Sequence, residues 1–98
     1  VHLIQEVNHG DLFVCKNNIP ILIDCKTLNN KNGLFPTLRI EENQRLAYEK
    51  FKACGNDNYY LAILWQNKVY IIPMNSINFL DKSIDLKKYK EKWSEFYE

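Results

Sequence analysis

The chain is poor in the residues that mark several common kinds of protein. Only three glycines occur among 98 residues, and they are scattered, so no glycine-rich phosphate loop is available. Three cysteines, Cys15, Cys25 and Cys54, are an odd number without zinc-ligand spacing. They read as buried thiols in a reducing compartment, and the chain is expected in the cytoplasm. The two histidines, His2 and His9, accompany no nucleophile elbow or Cys/His motif, so hydrolysis by a catalytic triad has no support. No apolar run approaches the ~18–20 residues of a membrane span, and no signal peptide is visible. The formal net charge is only +1, so any nucleic-acid surface must be local.

The remainder is an ordinary globular composition, 46% apolar and 26% charged, of a length that suits a single domain spanning residues 1–98. The chain opens on Val1, which leaves room for a segment upstream.

Residues 12–15 and 19–25 are short apolar runs flanking Asn17-Asn18. A two-residue hairpin turn often needs positive φ at both central positions, which Asn tolerates. A turn there sets the register: Lys16 faces Ile19, Val14 faces Ile21, Cys15 faces Pro20, and Asp11 faces Asp24. Opposed residues share a face with Cβ atoms roughly 4.5–5.5 Å apart. Lys26 shares the face of Asp24 by alternation. Two carboxylates side by side suit a hard divalent cation, Mg²⁺ or Mn²⁺, and the backbone carbonyl of Cys25 lies between the functional side chains. Such an ion polarises a phosphodiester, while Lys26 orients the attacking water or neutralises the phosphorane. A salt bridge along a strand is the plainer reading of Asp24 and Lys26; the opposed Asp11 favours the chemical one.

Residues 1–7 read as a strand or a helix end, and 8–10 as a turn delivering Asp11. His9 is a turn residue or a contact to phosphate or water. Residues 28–39 read as a loop tacked down by Phe35 and Leu38, with Lys31 and Arg39 placed to touch a DNA backbone. Residues 41–54 predict a helix ended by Gly55, with an inner stripe of Ile40, Gln44, Ala47, Phe51 and Cys54. Gln44 either keeps its amide in water or faces the carboxylates. Residues 59–65 and 68–73 predict a second hairpin around Gln66-Asn67, its first run long enough in apolar residues for an inner strand. Residues 75–80 suggest a helical turn. Residues 85–97 suggest an amphipathic helix with Leu86, Tyr89, Trp93 and Phe96 on one side and its lysines on a solvated face. The expected class is α+β (mixed α/β), a central mixed sheet built from two hairpins and flanked by helices.

An Asp thirteen residues before D-x-K at the end of a hairpin's second strand resembles the PD-(D/E)XK nuclease superfamily. The order of Asp11, the Asn17-Asn18 turn, ILIDCKT, a polar loop to Phe35-Pro36, Gln44 and the run VYIIP is most similar to RecU-type Holliday junction resolvases of Gram-positive bacteria and their phage relatives. The resemblance covers roughly residues 8–80. It implies a restriction-endonuclease-like core, Asp11 and Asp24 as metal ligands, Lys26 as the catalytic lysine and Gln44 as the active-site glutamine of the following helix. It further implies Mg²⁺ or Mn²⁺, a homodimer, and paired cuts in branched DNA during recombination or repair. Family members carry a longer N-terminal region with one more acidic residue, for which Glu6 is the nearby candidate, and a stalk-like insertion that has no counterpart here. Those departures motivate a second expectation, a nuclease fold retained as a DNA- or protein-binding module without turnover, such as a phage-encoded inhibitor or accessory subunit. A third is a piece of a longer resolvase.

Overall fold

The computed structural model describes residues 2–6 and 11–89. Its centre is a five-stranded mixed sheet in the order β1-β2-β3-β5-β6, built from strands β1 (His2–Glu6), β2 (Asp11–Lys16), β3 (Ile19–Thr27), β5 (Tyr59–Trp65) and β6 (Lys68–Pro73). Both predicted hairpins form. Asn17 and Asn18 have φ of 53° and 66°, and Gln66 and Asn67 have 50° and 62°. Positive φ at both turn residues gives the backbone twist that matches the flanking strands. The pairing of β2 with β3 follows from that turn: Lys16 with Ile19, Cys15 with Pro20, Val14 with Ile21, and Asp11 with Asp24. Residues 2–6 are a strand, antiparallel to β2.

The two hairpins join through a parallel pair, β3 with β5, in which Asp24 stands beside Leu61. A parallel connection needs a crossover, and helix α1 (Glu42–Ala53) supplies it. Alternation divides β3 between two apolar clusters. Leu22 packs with Tyr48, Leu61, Ile63 and Ile72 on the α1 side, while Ile21, Ile23, Ala62 and Ile71 gather on the other. Since β5 contributes to both, its run of buried residues reflects an inner strand with cover on each face.

Helix α1 ends where expected, with Gly55 at φ 84°. Most of the predicted stripe faces the core: Ile40 is buried, Gln44 is half-buried, and Ala47 and Phe51 pack half-buried against the core cluster, while Cys54 is exposed and Tyr48, outside the stripe, is the buried residue of the helix itself. Tyr48 and Phe51 both meet the Tyr59 ring edge-on, at 5.9 and 6.4 Å between ring centroids. The expectation of three buried thiols is not met. Cys15 and Cys25 are half-buried, Cys54 is exposed past the last turn, and none of the three is joined in a disulfide.

Residues 28–39 are less of a loop than their composition suggests. Strand β4 (Leu34–Pro36) pairs with β7 (Ser83–Asp85) in a separate two-stranded sheet, and a 3₁₀ turn, Thr37–Arg39, follows β4. Phe35 is wholly buried as expected, but Leu38 is 93% exposed. Thr37 replaces it as the anchor, its hydroxyl donating to the carbonyls of Asp81 (2.6 Å) and Lys82 (3.1 Å). The helix predicted from residue 85 is also corrected. Asp85 ends β7, Leu86–Lys88 make a 3₁₀ turn, and Ile84 and Leu86 are buried in the core. Pairing with β4 satisfies this backbone, and alternate burial of Ile84 and Leu86 has strand rather than helix spacing. The rest of that predicted helix, from residue 90 on, lies outside the described residues. The turn expected near residues 75–80 is a 3₁₀ turn at Met74–Ser76.

Candidate functional site

β3 carries Asp24 into the interior, where it is 2% exposed and the only buried carboxylate among the described residues. It stands in the middle strand of the sheet, between Asp11 on β2 and Leu61 on β5. Two residues on, Lys26 shares its face, and the Lys26 Nζ lies 3.5 Å from Asp24 Oδ2. The Lys26 side chain is 13% exposed, so the pair sits at the mouth of the interior rather than on open surface. Burying a carboxylate is costly unless a charge or a set of donors compensates it. Here the Lys26 ammonium compensates Asp24, and Asp11 stands opposite it in register.

Gln44 completes the group from the helix. Its Oε1 accepts from Lys26 Nζ at 3.1 Å and from the backbone N–H of Glu41 at 2.9 Å. The second bond satisfies one of the unpaired amides at the start of α1. One side-chain oxygen thus ties the helix N-terminus to Lys26 and, through it, to Asp24. The polar residue in an otherwise apolar stripe is half-buried and reaches Lys26.

Among the other sequence candidates, the placement differs. Cys25 follows Asp24 with its side chain on the opposite face, against Ile21, Ile23, Ala62 and Ile71. Glu6 pairs with Leu12, one step out of phase with the Asp11–Asp24 pair. Lys31 is exposed in the loop beyond β3. Arg39 is closer to the site than its sequence distance suggests. It donates to the carbonyl of Thr27, next to Lys26, at 2.6 Å, and its guanidinium lies 4.8 Å from the Phe35 ring centroid. His9 lies outside the described residues.

One group gave no signal in the sequence. Tyr48 donates to Asp57 Oδ1 at 2.7 Å, and Asn75 donates to Asp57 Oδ2 at 2.7 Å. These bonds tie α1 to the turn after β6 and so fix the helix that presents Gln44. Burial, then the bond to Asp57, pushes the Tyr48 hydroxyl up to about 12. The bonds from Asn75 and Tyr48 hold Asp57 below the ordinary aspartate value. No motif spans residues 48, 57 and 75, since their meeting depends on the crossover.

The donor chemistry fits a hard divalent cation: two carboxylates on adjacent strands, with backbone carbonyls beside them. Lys26 adds a cation beside Asp24, and Gln44 limits its freedom. Oxygen ligands plus a positioned ammonium serve phosphoryl chemistry, in which charge builds on non-bridging oxygens. Searches against protein-family models, curated proteins and solved structures matched nothing to this chain.

Proposed function

We propose that the chain is a metal-dependent endodeoxyribonuclease of the PD-(D/E)XK type, acting on branched DNA as Holliday junction resolvases do. The observation that supports this best is the bonded series Asp24–Lys26–Gln44, built from three separated sequence positions, with Asp11 opposite Asp24 in register. Asp11 and Asp24, with the Cys25 carbonyl, would hold Mg²⁺ or Mn²⁺. When bound, the ion supplies a polarised phosphate and a water of lowered pKa. Lys26 lies beside the reacting phosphate, orients the attacking water and offsets charge on the pentacovalent phosphorus. Gln44 fixes the lysine, and Arg39 lies past Thr27 as a second cation for the DNA backbone. On this reading the protein works as a homodimer, since paired cuts need two sites.

The test is incubation of linear duplex and a four-way junction with the full chain in Mg²⁺ or Mn²⁺, alongside calorimetric titration with Mn²⁺. Expected are cleavage favouring the junction, loss of cleavage in Asp24→Ala and Lys26→Ala, and saturable Mn²⁺ binding that Asp24→Asn weakens at least tenfold. Absence of cleavage together with absence of carboxylate-dependent Mn²⁺ binding overturns the proposal. It leaves in its place a nuclease-like binding module.

A further inference from the structure

The carboxyl ends of the parallel strands β3 and β5 open on a groove of about 450 Å³, formed by the segment immediately after Lys26 and by the Gln66-Asn67 turn. Its polar side chains include four amides, from Asn29, Asn30, Gln66 and Asn67, with Lys31 beside them and no carboxylate among the lining residues. In open sheets, ligands gather at the carboxyl ends of parallel strands, where a crossover leaves the sheet.

The amides divide into two kinds. Asn30 is consumed by the scaffold: its Oδ1 accepts from the Gly33 N–H and its Nδ2 donates to the Leu34 carbonyl, both at 3.0 Å. Its backbone carbonyl accepts from the Trp65 indole at 2.7 Å. Gly33 lies so close to that indole that an added Cβ would stand 2.7 Å from it. The floor of the groove is therefore rigid. Asn29, Lys31, Gln66 and Asn67 are exposed, and none of their side chains is hydrogen-bonded to another described residue. Three amides, each with donor and acceptor, and one cation thus face outward from a fixed base.

We infer that this groove seats the bases of the DNA strand next to the scissile phosphate, with Asn29, Gln66 and Asn67 on base edges and Lys31 on the backbone. The inference rests on the nuclease reading of Asp24 and Lys26. An amide matches the paired donor and acceptor of a base edge, as Asn and Gln do on adenine. A lysine without a neighbouring acid suits a phosphate. The groove also adjoins the candidate site, since Thr27, the residue after Lys26, is part of its lining.

Side-chain amides give separate NMR signals, so the groove can be read without turnover. The full chain, free of metal, is titrated with a short DNA duplex and with a four-way junction. Expected are shifts of the Asn29, Gln66 and Asn67 amides and of the Trp65 indole, with the Asn75 and Asn78 amides unmoved. Asn29→Ala and Gln66→Gly, the latter keeping the positive φ, should each weaken binding about fivefold or more. Lys31→Ala should lower the slope of log affinity against log salt by about one. DNA binding that leaves these amides unmoved and the variants at wild-type affinity overturns the inference, as does absence of binding. Cleavage in Mg²⁺ is scored separately. Shifted amides without cleavage leave the groove standing and remove the nuclease reading, whereas cleavage with silent amides does the reverse.

Discussion

The contact between Lys26 and Gln44 allows the sharpest test of how the site is held. Gln44→Ala removes two bonds at once: the 2.9 Å bond from the Glu41 N–H and the 3.1 Å bond from Lys26 Nζ. Losing an N-terminal helix cap typically costs about 1 kcal/mol. Losing a hydrogen bond to a charged group costs about 1.5–3 kcal/mol, and the lower end applies because Lys26 keeps some access to water. Alanine returns a few tenths of a kcal/mol in helix propensity. The expected loss is about 2 kcal/mol, or roughly 8–16 °C in Tm for a chain of this size. The portion due to Lys26 is isolated by a double-mutant cycle with Lys26→Met, which keeps the aliphatic stem. Urea unfolding followed by circular dichroism at neutral pH gives the four stabilities. The coupling between the two positions should be about 1 kcal/mol, with the rest of the Gln44 effect persisting in the Lys26→Met background as the cap. A coupling below about 0.3 kcal/mol would show that Gln44 serves only the helix and would refute its role in positioning the lysine.

Other outcomes follow from the surrounding structure. Gly33→Ala places a Cβ 2.7 Å from the Trp65 ring at a φ of 72°, and should destabilise by about 2–3 kcal/mol in the same urea assay. Asn18→Gly, at φ 66°, should be tolerated within about 0.5 kcal/mol, whereas Asn18→Val should destabilise by more than 1 kcal/mol. Asp57 is held below its ordinary value, so its contribution is present above the unfolded aspartate pKa of 3.8 and fades as pH falls through the lower folded value. Asp57→Asn should therefore flatten the acid limb of a Tm–pH curve. Tyr48 has the opposite sense. Its stabilisation is present below the unfolded value of 10.0 and is lost as pH rises toward about 12, so Tyr48→Phe should reduce the fall in Tm over that window.

The amino-acid sequence alone determined what depends on near neighbours. Asn-Asn and Gln-Asn dipeptides between apolar runs choose tight turns, and a tight turn fixes register. The placement of Asp11 opposite Asp24, and of Lys26 on the same face, was therefore legible without coordinates. The extent of α1 was legible too, from its periodicity and from Gly55, since a left-handed residue stops a helix locally. Tertiary structure decided wherever two distant segments compete for the same backbone bonds. The helix expected from residue 85 does not begin there, because pairing of residues 83–85 with 34–36 makes Asp85 the end of a strand. Tyr48, outside the predicted stripe, is buried alongside it, because the Tyr59 ring meets it edge-on. Leu38 is apolar and exposed, while Thr37 is polar and buried, because two carbonyls at residues 81 and 82 await its hydroxyl. Gln44 shows both halves. Its polar side chain in an apolar stripe was visible in the sequence, but only the crossover from β3 through α1 brings its oxygen to Lys26. A register is set by one short turn, and a site is set by the meeting of segments that the turn does not link.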